Sequence, residues 1–591
     1  MPSYTGGQMI VNHLIAEGVS HVFGVAGHGV LGFLDAGYDY RNKIKLVMAR
    51  HEEVAGFMAD GYYRLAHKPA ATFTSSGPGS INLLIALAEA MSDSVPFLSL
   101  TGNVASTQFN SGALQEMYRQ KEADWPSVVR HYVKQTFHAN RVDMLPKVLA
   151  LGFKTMLSGR PGPVNIDVPY DMFVETADVD LFEPEQWTRV VNSRVQGNPA
   201  AVAQAVDLLL SAERPLILAG HGVLLAEAWD ELQELARELQ VPVVTSALGK
   251  GLMPEDDPLA LGAVGAFGPY PANEAARSAD VILALGCRFS DLHTSSWERG
   301  YSYSIPPTRL IHVDIDPQEI GRNYPVAVGV VGDCKMVLQQ LLAGIKCKAK
   351  PDLTAWYAEV DRAKDTWQQF MEPRRISDKV PIQVDRVFHE ARKALPDNAA
   401  VFIAAGNAGG WSVQQWQALE PYTHQVAGGM NAMGWAPSAP LGAKLADPGR
   451  PCVCVCGDGS FIMVPHVVAT AVEYSIPVVW LVLNDYSWGA IKGLQGAYFD
   501  GKEIATSFEV HNEGKLYNPD FAMWAKACGA EGEQVKDPAE LAPALERAVG
   551  SSKPYVLDVI IDRDAGVPLT AGWAMPPVPI GKPVFGKPKR G

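Results

Sequence analysis

The stretch Cys452–Ser487 (CVCVCGDGSFIMVPHVVATAVEYSIPVVWLVLNDYS) decides the fold that we expect for this chain. It begins with the apolar run CVCVC, continues through a helical stretch and ends with the apolar run IPVVWLVL. Apolar runs of this length are typical of strands buried on both faces, and the stretch between them is long enough for a crossover helix. The sequence therefore predicts a right-handed β–α–β unit with two parallel, neighbouring strands.

The same alternation extends outward over nearly the whole chain. Further strand-like runs are HVFGVAG, AATFTSS, PFLSLTGN, PVNIDVP, PLILAGHG, PVVTSAL, DVILALG, RLIHVDI and AAVFIAAG. Apolar strands that alternate with amphipathic helical stretches are typical of parallel sheets covered by helices on both faces. We therefore predict an α/β fold with three doubly wound parallel-sheet domains.

Two polar segments, at 175–197 and 346–378, interrupt the alternation and are predicted to be linkers. A chain of 591 residues is also too long for a single hydrophobic core. The predicted parts are residues 1–190, a middle domain over 191–350, a third domain over 370–565 and a C-terminal tail over 566–591. The tail is rich in Pro and Gly, and we expect it to lie across the surface.

The composition indicates a soluble enzyme without nucleic-acid or membrane partners. Hydrophobic residues make up 47% and charged residues 19%, and the net charge is −14. An acidic chain does not favour binding to nucleic acid. The start, MPSYTGGQMIVNHL, lacks the features of a secretory signal, and no apolar run reaches the length of a bilayer span, so we expect a cytoplasmic protein. The seven cysteines include no zinc-type CxxC pair. Cys452, Cys454 and Cys456 alternate along an apolar run and are expected to be buried thiols, with a metal site as the alternative.

Asp458 and Asp485 each follow one of the two strands in the opening stretch and lie 27 residues apart. An Asp-Gly pair can be a plain turn. However, the carboxyl ends of neighbouring parallel strands meet at one edge of a sheet, which is where ligands bind in such folds. Two carboxylates suit Mg²⁺, and the glycines beside Asp458 let backbone N–H groups approach a diphosphate.

The GDG motif, the second strand and the pair Asn484-Asp485 resemble the diphosphate motif of the thiamin-diphosphate decarboxylase/acetolactate-synthase superfamily. The resemblance implies that Asp458, Asp485 and the backbone carbonyl of Ser487 bind Mg²⁺, with Asp485 standing where the family usually has Asn. The segment 428–439 resembles the one that holds the cofactor bent, which places Met433 between the two cofactor rings; core packing is its alternative role. The other third-domain residues implied to bind thiamin diphosphate are Asn407, Ala408, Gly457, Gly459 and Ser460.

The segment Arg50–Arg64 (RHEEVAGFMADGYYR) resembles the element that carries the activating glutamate of the superfamily. The resemblance implies that the Glu52 carboxyl meets N1′ of the cofactor's aminopyrimidine. The loop Ser75–Asn82 (SSGPGSIN) resembles the loop under the pyrimidine, which implies contacts from Ser76, Gly77 and Asn82. Residues 1–190 are then the pyrimidine-binding domain and residues 370–565 the diphosphate-binding domain. In the family the two come from different subunits, which implies at least a homodimer and often a homotetramer.

The middle domain resembles the branch of the superfamily that binds FAD. Its segments include AGHGV, VTSALGKG, LGCRFSD, HVDIDPQEIGRN and VGD. The resemblance implies that Arg288 contacts the FAD diphosphate, that Asp314 and Asp333 lie around the nucleotide, and that Arg160 of the first domain lies beside the flavin. Arginine offers a planar fork to a diphosphate, and carboxylates at strand ends can accept from a ribose. The other implied FAD contacts are Gly220, Gly222, Thr245, Gly286 and Ile315.

His28, Gln115 and Asn484 are the residues predicted to act on the substrate, besides Glu52. A neutral imidazole at His28 can relay protons, although a histidine here can also cap a turn. This set, on an FAD-type framework, resembles cyclohexane-1,2-dione hydrolase. The resemblance implies cleavage of the bond between the two carbonyls of a cyclic 1,2-diketone, with hydrolytic ring opening to 6-oxohexanoate.

Other reactions remain open. An acetolactate-synthase-like carboligase and a benzaldehyde-lyase-like aldehyde lyase or ligase use the same cofactor. A non-catalytic relative that binds the cofactor is also conceivable, but Glu52 argues against it. A dinucleotide-dependent dehydrogenase is disfavoured because no GxGxxG motif with a downstream acid follows a strand.

Overall fold

The computed structural model of the protein describes residues 1–116, 124–190, 194–499 and 501–572. Three six-stranded parallel sheets follow one another along the chain, and helices flank each of them. The predicted α/β fold with three parallel-sheet domains is therefore confirmed.

The first sheet has the strand order β3-β2-β4-β5-β7-β6, and a short antiparallel pair, β1 and β8, lies beside it. The strands are β1 (Ser3–Thr5), β2 (His21–Gly24), β3 (Lys45–Met48), β4 (Ala70–Thr74), β5 (Phe97–Asn103), β6 (Gln135–His138), β7 (Val164–Pro169) and β8 (Thr176–Asp178). The helices are α1 (Gly6–Ala16), α2 (Leu31–Asp39), α3 (Glu52–Ala66), α4 (Pro78–Asn82), α5 (Leu84–Asp93), α6 (Trp125–Val129), α7 (Leu145–Leu157), α8 (Tyr170–Val174) and α9 (Pro184–Trp187). Strands β4, β5 and β7 are buried along their whole length, as central strands of a sheet covered on both faces must be.

The middle sheet has the order β11-β10-β9-β12-β13-β14. Its strands are β9 (Pro215–Ala219), β10 (Val243–Thr245), β11 (Ala260–Ala263), β12 (Val281–Leu285), β13 (Arg309–Asp314) and β14 (Val328–Val331). The helices of this part are α10 (Pro199–Leu210), α11 (His221–Leu225), α12 (Trp229–Leu239), α13 (Tyr270–Ser278), α14 (Asp291–Thr294), α15 (Cys334–Ile345) and α16 (Thr354–Arg375).

Helix α16 corrects the prediction that 346–378 is a linker. Its charged residues conceal an apolar stripe, because the positions that the fold buries are spaced three or four residues apart. These buried side chains are Trp356, Val360, Ala363, Trp367 and Met371. Trp356 and Val360 belong to the core of the middle domain, so the segment is part of a packed structure rather than a free connection.

The third sheet has the order β16-β15-β17-β18-β20-β19. Its strands are β15 (Ala400–Ile403), β16 (His424–Val426), β17 (Cys452–Gly457), β18 (Val479–Asn484), β19 (Glu531–Val535) and β20 (Tyr555–Ile560). Its helices are α17 (Val384–Ala394), α18 (Asn407–Gln415), α19 (Trp435–Ala446), α20 (Asp458–Met463), α21 (Val467–Glu473), α22 (Gly489–Tyr498), α23 (Phe521–Ala527) and α24 (Pro538–Val549). Strands β17 and β18 are parallel neighbours, as the opening stretch predicts.

The first part of the C-terminal tail is packed rather than spread over the surface. Thr570 and Ala571 are buried, and Thr570 bonds through its hydroxyl group to Asn273 Nδ2 at 2.7 Å and to the Gly268 carbonyl at 2.6 Å. This part of the tail therefore ties the end of the third domain to the middle domain. The rest of the predicted tail, from residue 573, lies outside the described residues.

The first and third domains share one hydrophobic core, in which α3 lies directly on α19. Two glycines allow the helices to come this close. A Cβ atom on Gly61 would lie 2.0 Å from the Ala439 carbonyl oxygen, and one on Gly442 would lie 1.8 Å from that of Met58. Because the opposing atoms are backbone atoms, they cannot move aside as a flexible side chain would. In the described part of the chain, no helix is both long and apolar enough to cross a bilayer.

The helix crossing predicts that Gly61→Ala destabilises the protein. The added methyl group would force α3 and α19 apart, and overpacking of this kind costs roughly 1–3 kcal/mol or more. We expect a lower melting temperature by scanning calorimetry. Gly493→Ala is the matched control, because Gly493 lies within helix α22 with no atom within 4 Å of the added Cβ. A melting temperature of Gly61→Ala as high as that of the wild type or of the control variant would contradict the packing.

Candidate active site

The carboxyl ends of three neighbouring strands form the first half of the site. Strands β15, β17 and β18 lie side by side in the third sheet. Asp458 begins α20 directly after β17, and Asp485 follows β18, so both carboxylates lie at one rim. Asn407 begins α18 after β15, where Gly406 takes a φ of +85° that only glycine adopts easily.

The two carboxylates at this rim are buried and repel each other. Asn518 Nδ2 donates to Asp458 Oδ2 at 2.6 Å, and the Gly459 N–H donates to Asp458 Oδ1 at 2.9 Å. Ser487 donates to Asp485 Oδ1 from its backbone N–H at 3.0 Å and from its hydroxyl group at 2.9 Å. Burial raises the pKa of both carboxyls, and the charge of Asp485 raises that of Asp458 further.

A divalent cation fits this arrangement, because it would neutralise two carboxylates that otherwise destabilise each other. Among the described residues, no group of three or more His, Cys, Asp and Glu side chains is arranged to hold a metal ion. A cation at Asp458 and Asp485 would therefore take its remaining ligands from backbone oxygens and from a bound diphosphate.

Asn484, predicted as a substrate contact, lies beneath the rim and is 1% exposed. Its Nδ2 donates to Asp558 Oδ1 at 2.9 Å, and its Oδ1 accepts from Asn518 Nδ2 at 2.9 Å. Both ends of the amide are thus bonded to protein side chains, Asp558 of β20 and Asn518. Asn518 is a residue that sequence reasoning missed: it lies 60 residues after Asp458, in a loop without a motif, and only the fold brings the two together.

Glycines at the rim allow its elements to pack closely against one another. A Cβ atom on Gly489 would lie 2.2 Å from Asp485 Oδ2, and one on Gly459 would lie 2.5 Å from the Trp488 ring. Ala408 is buried in the first turn of α18. Ser460 accepts from the Gly434 N–H at 3.3 Å and so joins the rim to the segment that carries Met433. Met433 itself is half-buried between buried neighbours.

The second half of the site lies at the start of α3 in the first domain. Glu52 is the first residue of this helix, and the His51 side chain caps it by accepting from the Glu53 N–H at 3.2 Å. Asn82 Nδ2 donates to Glu52 Oε2 at 3.0 Å. A Cβ atom on Gly79 would lie 3.1 Å from Glu52 Oε1, so the start of α4 packs closely on the carboxylate.

The loop between β4 and α4 contacts the segments that carry His28 and Gln115. The Gly29 N–H donates to Ser75 Oγ at 3.1 Å, which fixes the turn containing the exposed His28. Gly77 has a φ of +61°, and a Cβ atom on it would lie 2.7 Å from the Gln115 carbonyl oxygen. Gln115 Oε1 and Ser76 Oγ are buried, and neither has a hydrogen-bond partner within the described ranges.

Within one chain, Glu52 and the adjacent Glu53 contact different domains. Glu52 contacts Asn82 and Gly79 of its own domain. The adjacent Glu53 is the one directed at the third domain, since a Cβ atom on Gly434 would lie 3.1 Å from Glu53 Oε1. The structure of one chain therefore assembles each half separately.

The residues predicted to bind FAD lie at the carboxyl edge of the middle sheet. A Cβ atom on Gly220 would lie 2.3 Å from the Gly286 carbonyl oxygen, and one on Gly222 would lie 2.7 Å from the Gly286 Cα, so the ends of β9 and β12 approach closely. Gly286 has a φ of +57°. Thr245 Oγ1 is buried and lacks a partner in the part of the chain that the structure describes.

The charged residues of this second site differ in how far other side chains already pair with them. Asp314 is buried, which raises its pKa to about 6, and half-buried Ile315 follows it. Arg160 bonds to Glu319 Oε1 at 3.1 Å, and Arg288 Nη2 lies 4.0 Å from Asp93 Oδ1. Asp333 caps α15 and pairs with Arg194 at 3.1 Å, which occupies its oxygens. A cavity of about 70 Å³ lies nearby, between the middle and third domains, and its lining includes Phe267, His293, Gly406, Gly410 and Gly428.

Comparisons with known proteins agree with this geometry. The N-terminal TPP binding domain of thiamine pyrophosphate enzymes matches residues 4–123, their central domain matches 202–341, and their C-terminal TPP binding domain matches 404–559. A probable acetolactate synthase large subunit from Methanocaldococcus jannaschii is 33% identical over 574 residues, which cover 95% of this chain and 93% of the relative. The acetolactate synthase large subunit of Haemophilus influenzae is 33% identical over 577 residues, 96% of each chain. The acetolactate synthase isozyme 3 large subunit of Escherichia coli is 31% identical over 575 residues, covering 95% and 96%.

These similarities extend over all three domains and over both halves of the site. The chain belongs to the family of thiamine pyrophosphate (thiamin diphosphate) enzymes.

Proposed function

We propose that the chain is a thiamin-diphosphate-dependent carboligase of the acetolactate-synthase type. It would release CO₂ from one 2-oxo acid and join the remaining unit to the carbonyl group of a second. The observation that carries the thiamin-diphosphate part of the proposal is the pair Glu52 and Asn82: Asn82 Nδ2 holds Glu52 Oε2, and Glu52 Oε1 has no hydrogen-bond partner among the described residues. The names of the full-length relatives favour carboligation over the ring-opening hydrolysis that the sequence analysis placed first.

The roles of the residues follow from their positions. Thiamin diphosphate, when bound, supplies a nucleophilic carbon that adds to a carbonyl group. Glu52 would exchange a proton with the pyrimidine N1′, and Asn82 fixes the orientation of its carboxyl group. Asp458, Asp485 and the Ser487 carbonyl would hold Mg²⁺.

The rest of the rim would bind and support the diphosphate end. Asn407, Ala408, Gly457, Gly459 and Ser460 would line the diphosphate, as backbone N–H groups at a helix start do. Asn484 would support the metal loop from below, because both ends of its amide are already bonded there.

Hydrolytic cleavage of a 1,2-diketone is the second candidate. His28 is exposed beside the loop that packs on Glu52, and the buried Gln115 Oε1 lacks a partner within the described residues. A proton relay and a free amide at this place suit the addition of water to a second carbonyl group.

FAD is the second cofactor that we propose, bound at the carboxyl edge of the middle sheet. The close approach of Gly220 and Gly222 to Gly286, the Thr245 hydroxyl without a partner among the described residues, and buried Asp314 support this assignment. Asp333 would act only indirectly, as the cap of α15. The absorbance spectrum of the purified protein tests the assignment: flavin bands support it, and a colourless protein that releases no flavin on denaturation rejects it.

We propose that a homodimer unites the two halves of the site and that two such dimers form a homotetramer. Large apolar side chains are exposed around both halves, and patches of such side chains mark interaction surfaces. Those near Glu52 are Leu31, Ile81 and Ile85, and those near Asp458 and Asp485 are Met463 and Ile491. A second copy of the chain would cover them and bring Glu52 of one subunit to the diphosphate rim of the other.

Glu52→Gln is predicted to abolish turnover while leaving cofactor binding intact. Gln keeps the size of the side chain but cannot exchange the proton, so kcat should fall by about 10²-fold or more. Thiamin diphosphate binding, followed by tryptophan fluorescence, should change little. The control is Glu473→Gln, which affects only an exposed ion pair with Arg50. Equal kcat values for Glu52→Gln and the wild type would contradict the assignment.

Two assays on the wild-type enzyme, loaded with thiamin diphosphate and Mg²⁺, separate the candidate reactions. The carboligase proposal predicts that pyruvate is consumed with release of CO₂ and formation of acetolactate. Loss of cyclohexane-1,2-dione with formation of 6-oxohexanoate, without activity on pyruvate, would instead support the hydrolase. Cleavage of benzoin alone would point to the aldehyde-lyase alternative.

Asp485→Asn is predicted to stabilise the metal-free protein. The substitution removes one of two buried, mutually repelling carboxylates but keeps an oxygen that can accept from Ser487. In EDTA the melting temperature should rise by a few degrees, corresponding to about 1–2 kcal/mol, and the additional stabilisation by Mg²⁺ with thiamin diphosphate should become smaller. Asp485→Ala, which lacks the oxygen ligand, should lose the response to Mg²⁺. A lower melting temperature of Asp485→Asn in EDTA would show that the two carboxylates do not repel each other.

A further inference from the structure

The segment Val426–Ala432 leads from the end of β16 to Met433, and side chains of the first domain hold it. The Ala432 N–H donates to Glu89 Oε2 at 2.8 Å, and the Gly428 N–H donates to Asp93 Oδ2 at 2.8 Å. Arg64 Nη1 donates to the Val426 carbonyl oxygen at 2.9 Å. Three bonds from another domain therefore fix the backbone just before Met433.

Glu89 and Asp93 act from one face of α5, because they lie four residues apart on this helix. Both are fully buried, at 0% exposure. The contact between α5 and the segment is close: a Cβ atom on Gly429 would lie 1.8 Å from Ser92 Oγ. The segment therefore has little freedom to move relative to α5.

The charged groups buried at this contact determine which partners each carboxyl group has. Arg64 pairs with Asp93 at 2.8 Å and with Asp60 at 2.6 Å, so it serves two of the three carboxyl groups. Glu89 has no such partner at hydrogen-bond distance among the described residues, and its Oε1 is unbonded there. Burial, followed by the charge of Asp93, raises the pKa of Glu89 well above its usual range. A buried group of this kind is costly to keep, which suggests that its single bond to Ala432 has a purpose.

We propose that Glu89, with Asp93, is a positioning residue for the cofactor segment that ends in Met433. This inference rests on the proposed function and on the expectation, drawn from the resemblance, that Met433 lies between the two rings of bound thiamin diphosphate. The first domain of each chain would then act on two cofactors: through Glu52 on the one bound by its partner, and through Glu89 on the one bound by its own third domain.

Glu89→Met tests this role, because Met matches Glu in length and helix propensity but offers no carboxyl oxygen to the Ala432 N–H. The affinity for thiamin diphosphate with Mg²⁺, measured by tryptophan fluorescence, should fall at least about tenfold, as expected for an unsatisfied buried donor. The affinity for inorganic pyrophosphate with Mg²⁺ should stay within about twofold of the wild type, because the diphosphate rim is untouched. Glu89→Gln keeps an acceptor and should restore the affinity for thiamin diphosphate.

Glu89→Ala is the second variant, should Glu89→Met not fold, and the same pattern is expected from it. Unchanged affinity for thiamin diphosphate overturns the proposal. Equal losses for thiamin diphosphate and pyrophosphate, with a lower melting temperature, also overturn it, because they would indicate a purely structural tie. A wild-type protein that binds pyrophosphate but not thiamin diphosphate would overturn the proposed function itself, which is a different outcome.

Discussion

Helix α3 rests on helix α19 through backbone contacts at Gly61 and Gly442, and the arrangement of the site depends on this contact. The start of α3 carries Glu52, and the segment before α19 carries Met433. Arg64 lies in the same contact, where it pairs with Asp60 and stacks over the Trp435 ring at 4.6 Å. A shift between the two helices would therefore move Glu52 and Met433, and with them parts of both proposed sites of a dimer, relative to each other.

Much of the fold could be predicted from the sequence, because buried parallel strands have a simple pattern. The runs that became β17 and β18 are continuous and apolar, and the carboxylates that follow them had to meet at one rim. Glu52 and Asn82 were assigned by resemblance to short motifs, and in the structure Asn82 Nδ2 lies 3.0 Å from Glu52 Oε2. For these residues the short sequence motif and the position next to a strand predict the same location in the fold.

The remaining features depend on contacts between distant parts of the chain. Asn518 reaches Asp458 from a loop without a motif, and Glu89 reaches Ala432 across two domains. The sequence around Asn484 does not show whether its amide contacts the substrate or Asp558. Only the fold, in which the amide bonds to Asp558, distinguishes these two roles. Helix α16 was missed for another reason, since its many charged residues dominate its composition and conceal the buried stripe.

The central claim is that Glu52 of one subunit and the Asp458/Asp485 rim of another serve a single cofactor. Co-expression of Glu52→Gln and Asp458→Asn chains, each inactive alone, tests it directly by the rate of product formation. With random pairing in a dimer, half of the dimers are mixed and each contains one intact site, so about a quarter of the wild-type activity should return. If the mixture is as inactive as either variant alone, each site is built within one chain, and the claim is wrong.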